Sequence, residues 1–290
     1  MKITRKFYGQ NITFLLPDGC STEKCERMVL STSAWLGASK GILTTAITRA
    51  SAAMVHTNNM SEMHKQMMFM YFNIPLTSSD AVYKNALNKV VQVLNATLRG
   101  LSKPTLTFAD ISQMPGLARL HCGLTFQKTS SFAGLVYEGP AEFLKNRLSL
   151  KEHAPIGAVE RPLEGYINLN YELFFKQGDV YSIVTVIHEA THKFGRTTDL
   201  IYFDPKEGKT QFEAAMDNLA AFGPMRTAGL DVSDQEAKVV NDAVRDAHAA
   251  KKSKIDSGGL MNNADSFANY AFDAARYLVQ DFPTRAPVDG

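Results

Sequence analysis

The sequence predicts an α+β fold that is mainly helical and has a small antiparallel sheet beside one central helix. Residues 21 to 103 place apolar side chains at helical spacings, whereas residues 104 to 171 contain short apolar runs that are typical of strands. The length of 290 residues and the 45% hydrophobic composition suit one large globular unit with a substantial core.

The elements are predicted in chain order from turn, cap and periodicity signals. Residues 2 to 16 alternate around Gly9-Gln10, which predicts a short hairpin. Residues 21 to 70 have helical periodicity, and a further helix begins at Ser79-Asp80 and ends at Gly100. Strands are then expected at 105–108, 120–126, 132–137 and 166–171.

A central helix follows the last of these strands. Asp179 is a plausible N-cap, residues 180 to 187 are mostly apolar, and Gly195 is expected to be the left-handed residue that ends the helix. Two later helices are predicted at 235–250 and 265–279. Residues 283 to 290 have the composition of a tail.

The central helix carries the sequence His188-Glu189-Ala190-Thr191-His192. At about 3.6 residues per turn, the two histidines project from one face, where neutral imidazoles can bind a single Zn²⁺. A glutamate after the first histidine is placed to accept a proton from a water molecule bound to that ion. The pattern predicts a zinc hydrolase acting on peptide bonds.

Two histidines need a third protein ligand, and the sequence offers more than one candidate. Asp199 follows His192 by seven residues, after a turn at Gly195 that can fold the chain back towards the ion. Glu213 begins a Glu-x-x-x-Asp segment with the spacing of thermolysin-like enzymes. Thr198 stands where metzincins carry a third histidine, which argues against that class.

Three blocks of the chain resemble the aspzincins, the family of deuterolysin and the lysine-specific metalloendopeptidases. Gly195, Asp199 and Tyr202 fit the family's Gly-Thr-x-x-Asp-x-x-Tyr-Gly element, from which Arg196 and Phe203 depart. The other two blocks are the strand with its following Phe-Phe at 165–175 and the Asn-Ala-Asp block within 260–267. The resemblance implies a zincin-like catalytic domain at 21–282, after a hairpin or extension at 1–20.

The resemblance also implies roles for individual residues. His188, His192 and Asp199 would bind zinc, Glu189 would be the general base, and Tyr202 would donate a hydrogen bond in the transition state. Asp265 would lie in the pocket that receives the substrate side chain. Ala268 replaces the second acid of the lysine-specific members, so strict lysine specificity is not expected. Residues 204–260 exceed their family counterpart and are a probable insertion.

Composition narrows the remaining function classes. A net charge of +2 without long basic runs does not indicate a basic surface that would bind nucleic acid. No signal peptide or membrane span is predicted, and the three cysteines lack the spacing of a disulfide framework, which favours a reducing compartment. The expected partners are a protein or peptide substrate and an inhibitor or immunity protein. The chain is expected to be made as a soluble cytoplasmic protein, with two open alternatives: release as an effector by a dedicated secretion system, or intracellular processing of proteins. A catalytically inactive zinc-containing binding protein is the alternative outside the enzymes.

Overall fold

A computed structural model describes residues 1–56, 60–110, 134–136, 166–197 and 259–280. Within these ranges the chain is a mixed α+β structure, as expected. The strands are β1 (Lys2–Phe7), β2 (Gln10–Leu15), β3 (Thr105–Asp110), β4 (Gly134–Val136) and β5 (Ile167–Leu169). The helices are α1 (Thr22–Val55), α2 (Glu62–Phe72), α3 (Asp80–Leu101), α4 (Tyr171–Gln177), α5 (Asp179–Gly195) and α6 (Ala264–Gln280), with a 3₁₀ turn at Gly259–Asn262. The segments predicted at 120–126, 204–260 and 283–290 lie outside the described residues, apart from the 3₁₀ turn.

The five described strands form one mixed sheet in the order β1-β2-β3-β5-β4. β2 pairs in parallel with β3, and β3 in parallel with β5, whereas β1 and β4 are antiparallel to their neighbours. The prediction of an antiparallel sheet was therefore wrong. Helices α1, α2 and α3 lie between β2 and β3 in the chain, and a long helical connection of this kind returns a strand in parallel.

Two described strands lie beside the central helix. β5, within the segment predicted as a strand at 166–171, contacts α5 and is an inner strand between β3 and β4, with all three of its residues buried. β4 is the terminal strand among the described residues and lies against α5. The apolar-polar-apolar sequence Ile167-Asn168-Leu169 is too short to indicate this inner position, which also buries Asn168.

The N-terminal hairpin is part of the same sheet. Its turn is formed by Tyr8 and Gly9, both at positive φ, one residue earlier than the sequence indicated. Two residues at positive φ are typical of the type I′ turn that joins tightly paired strands. Gln10 then fixes the hairpin to the helical layer, because its amide donates hydrogen bonds to the carbonyls of Leu101 and Lys103.

The region 21–70, predicted to be helical, consists of the two helices α1 and α2. Ser21 caps α1 by accepting a hydrogen bond from the Lys24 amide, and Ser61 caps α2 in the same way from the His64 amide. In α3, the predicted apolar stripe is buried at Leu87, Val90 and Leu94 but exposed at its first position, Val82. None of the described helices is long and apolar enough to cross a membrane.

Cys20 and Cys25 form a disulfide with their Cα atoms 6.1 Å apart. The sequence argued against disulfides, and the structure overturns that inference for this pair. Cys20 precedes the N-cap Ser21 and Cys25 lies in the first turns of α1, so the change of chain direction at the cap brings them together. The cysteine usage consequently gives no support for a reducing compartment. Cys122 lies outside the described residues.

Candidate metal centre

The start of α5 is fixed by a contact with α1. Trp35 Nε1 donates a hydrogen bond of 2.9 Å to Asp179 Oδ1. Asp179 was expected to be the N-cap, but it is the first helical residue, and Gly178 at φ 88° occupies the cap. The carboxylate therefore binds a side chain of another helix rather than the amides of its own, which sequence periodicity could not show.

The end of α5 rests on close packing against α3. A Cβ atom on Gly100 would lie 2.0 Å from Phe194 Cγ, and a Cβ atom on Gly195 would lie 2.9 Å from Val93 Cγ1. Gly195 is thus required for its small size. The left-handed residue is Arg196, at φ 54°, which corrects the prediction that Gly195 adopts this conformation. The helix continues one residue beyond the expected end because the packing needs a glycine inside it.

The left-handed turn brings Thr197 back over the last turn of α5. The Thr197 carbonyl oxygen lies 2.8 Å from His192 Nδ1, and the Thr197 hydroxyl lies 2.9 Å from the Thr191 hydroxyl. A carbonyl oxygen can only accept, so His192 Nδ1 carries the proton. The turn fixes both the orientation and the tautomer of this histidine.

His188 is held by a different element. Its Nδ1 lies 3.1 Å from Oδ1 of Asp265, in the first turn of α6. Both side chains are largely buried, with 8% and 14% of their surfaces exposed. A carboxylate accepts hydrogen bonds, so Nδ1 is again the protonated nitrogen in the neutral ring.

The two histidines consequently direct their Nε2 atoms at each other, at a distance of 3.1 Å. With both protons on Nδ1, the two Nε2 lone pairs face each other, an arrangement that either a metal cation or a proton shared between the rings would stabilise. Two imidazole nitrogens bound to one tetrahedral Zn²⁺ at about 2.0–2.1 Å lie roughly 3.3 Å apart. The pair therefore matches the geometry and the ligand chemistry of a zinc site.

Glu189 lies beside this point. It is buried, and its Oε1 is 3.9 Å from His188 Nε2. This is too far for a hydrogen bond but leaves a carboxylate within one water molecule of the metal position. Glu189 thus has the placement required of a general base.

Tyr181 belongs to the same face of α5, because it precedes His188 by two helical turns. Burial raises the pKa of its phenol, and the carboxylates of Asp265 and Glu189 raise it further. The phenol is therefore near both acids and stays protonated at neutral pH. Sequence analysis missed it, although the spacing of seven residues from His188 was a usable signal.

Three of the predicted site residues, Asp199, Tyr202 and Glu213, lie outside the described residues, as does Thr198. Within the described ranges no set of three or more His, Cys, Asp or Glu side chains forms a metal site. The part of the centre that is described comprises His188, Glu189 and His192, and Asp265 is brought to them by α6. Ala268, at the position of the missing second acid, is fully buried in α6.

Two methionines of α2 and its histidine pack in the core. Met67 and Met68 are buried in the core, and His64 Nε2 is bonded to the Tyr270 hydroxyl at 2.9 Å. Burial lowers the pKa of His64 to about 4, so the ring is neutral at physiological pH. Its role is to join α2 to α6, the helix that carries Asp265.

Comparison with known proteins does not assign the chain to a family. Neither a family model nor a curated protein matches the chain. The functional interpretation therefore rests on the site itself.

Proposed function

We propose that this protein is a zinc-dependent endopeptidase with an aspzincin-like ligand set. The observation that carries the proposal is the convergence of His188 Nε2 and His192 Nε2 at 3.1 Å, with both Nδ1 atoms hydrogen-bonded on the far side of their rings. Metal-binding histidines commonly have this second hydrogen bond to a carboxylate or a backbone carbonyl. Here His188 contacts a carboxylate, and His192 contacts a backbone carbonyl.

Asp199 is proposed as the third ligand. Thr197 is positioned against His192, and two further residues extend the chain by at most about 7 Å. Asp199 is therefore within chain reach of the two histidines. Glu213 is not restricted in this way and is the rival third ligand, in a thermolysin-like arrangement.

The described sheet supports a zincin-like fold. β4 is antiparallel to β5, terminal among the described strands, and lies against the metal-binding helix α5. A peptide substrate is proposed to extend along β4 and pair with its backbone, as extended peptides do at sheet edges. This would place a scissile bond next to α5.

Zn²⁺, when bound, supplies a water molecule of lowered pKa and polarises a carbonyl. Glu189 accepts the proton from the attacking water and returns it to the leaving amine. Tyr202, by the resemblance, donates a hydrogen bond to the developing oxyanion. His188 and His192 keep fixed orientations because Asp265 and the Thr197 carbonyl hold their far sides.

The test separates metal binding from catalysis. His188→Ala and His192→Ala should each lose zinc by elemental analysis, whereas His56→Ala, which removes an exposed histidine, should not. Glu189→Gln should retain zinc and the fold but stop cleaving casein. Full zinc retention in both histidine variants would refute the metal site. A zinc-loaded wild type without peptidase activity would favour the inactive binding protein.

The third ligand is tested in the same way. Asp199→Ala should weaken zinc binding severely, and Glu213→Ala should leave the dissociation constant unchanged. The reverse result would replace the aspzincin-like ligand set with a thermolysin-like one.

A further inference from the structure

The carboxylate of Asp265 is the polar group of α6 that reaches the candidate metal centre. Its Oδ1 is 3.1 Å from His188 Nδ1, on the side of the ring opposite to the metal position. By resemblance, this aspartate would receive a basic substrate side chain. The observed contact gives it a different partner within the protein.

The position of Asp265 is set by a rigid support. Helix α6 is joined to α2 by the bond between Tyr270 and His64 and by the bond that Tyr71 donates to Asp273. It is joined to α1 by the bond of 3.0 Å from Arg49 to the Ala274 carbonyl. These contacts follow Asp265 within about three helical turns, so its carboxylate is presented by an anchored helix.

A carboxylate on Nδ1 has a defined effect on a metal-binding imidazole. It keeps the proton on Nδ1 and leaves the Nε2 lone pair directed at the metal. It also makes Nε2 a stronger metal ligand, because the carboxylate increases the basicity of the ring. His192 receives the same orientation from a backbone carbonyl, which no substitution can remove. Asp265 is thus the side chain through which the orientation of the pair can be altered.

We infer that Asp265 is a positioning residue for His188, rather than the acid that recognises a basic substrate side chain. The inference rests on the proposed zinc site. It implies that Asp265 does not serve as the acid of a pocket for the substrate side chain. Cleavage should therefore show no preference for lysine or arginine that depends on Asp265.

The experiment compares Asp265→Ala and Asp265→Asn with Asp273→Asn as the matched control. Asp273 lies on the same helix and is bonded to Tyr71, so its substitution perturbs α6 without touching His188. The zinc dissociation constant is measured by chelator competition, and the visible spectrum of the Co²⁺-substituted protein reports ligand geometry. The ¹⁵N signals of the His188 ring in the metal-free protein report its tautomer.

Asp265→Ala should weaken zinc binding about 10–100-fold and change the Co²⁺ spectrum. Asp265→Asn should recover most of the affinity and keep the Nδ1–H tautomer, because an amide oxygen can still accept that hydrogen bond. Asp273→Asn should retain wild-type zinc affinity. If Asp265→Ala does not fold, Asp265→Leu, whose side chain fills the space but cannot accept the hydrogen bond, is measured in its place and should show the same losses.

The outcomes separate this inference from the proposed function. A wild type that binds no zinc refutes both. A wild type that binds zinc, with unchanged affinity and tautomer in the Asp265 variants, overturns only the positioning role. Unchanged affinity together with loss of cleavage beside basic residues would assign Asp265 to the substrate pocket. Equal losses of affinity in Asp265→Asn and Asp273→Asn would reduce its role to helix stability.

Discussion

Gly100→Ala should displace the metal-binding helix by a single methyl group. The added Cβ would lie 2.0 Å from Phe194 Cγ, whereas carbon atoms in contact are normally about 3.5–4.0 Å apart. About 1.5–2 Å of movement is therefore required of Phe194, which lies two residues after His192. Overpacking of this kind costs about 1–3 kcal/mol, and the gain of about 1 kcal/mol from alanine in a helix offsets only part of it.

The assay is denaturant unfolding together with the zinc dissociation constant. We expect Gly100→Ala to lower the free energy of unfolding and to weaken zinc binding, because α5 moves with Phe194. Gly41→Ala is the matched control. Gly41 is exposed in α1 and a Cβ atom there meets nothing within 4 Å, so this variant should be more stable by about 0.5–1 kcal/mol.

A double-mutant cycle identifies the clash as the cause. Phe194→Ala removes the ring, and the added methyl group of Gly100→Ala then has space. The double variant should be less destabilised than the sum of the two single variants. Additive losses, or a Gly100→Ala protein with wild-type stability and zinc affinity, would refute the packing argument.

Three further outcomes are expected. Burial lowers the pKa of His64 from 6.5 in the unfolded chain to about 4, so folding keeps the ring neutral and the free energy of unfolding falls by roughly 3 kcal/mol as the pH falls from 6.5 to 4. In His64→Gln the free energy of unfolding should therefore depend less steeply on pH in this range, whereas His56→Gln should behave like the wild type. Trp35→Phe should cost at least about 1–2 kcal/mol in thermal unfolding, since it deletes the donor to Asp179 and replaces a buried indole by a smaller phenyl ring, and a neutral result would contradict a stabilising role of this contact. Arg196→Val should be about 1–2 kcal/mol less stable than Arg196→Gly, because a β-branched residue is strained at φ 54°, and equal stabilities would contradict the left-handed turn.

Elements whose bounds depend on local periodicity or on a capping residue could be predicted from the sequence. The hairpin, α3 and the helix that carries His188 and His192 were predicted from alternation, periodicity and flanking polar residues, and the structure confirms each of them. All of these depend on interactions within a few residues along the chain.

Long-range pairing could not be predicted in the same way. The parallel register of β2 with β3 joins residues about 90 positions apart, and no local pattern encodes it. Gly195 was assigned a left-handed conformation because glycine favours it, but the fold uses its missing side chain against Val93. Likewise the sequence marked Asp265 as a site residue, but only the structure shows its contact with His188.

The separation between His188 and Asp265 has a consequence during synthesis of the protein. The hydrogen bond between them spans 77 residues, and the bond from Arg49 to the Ala274 carbonyl spans 225. A nascent chain that has emerged only as far as α5 contains the complete histidine motif but lacks the helix that orients it. The centre can therefore form only after α6, the last described helix, docks onto α1, the first. Before α6 has emerged, His188 therefore lacks the carboxylate that holds its ring.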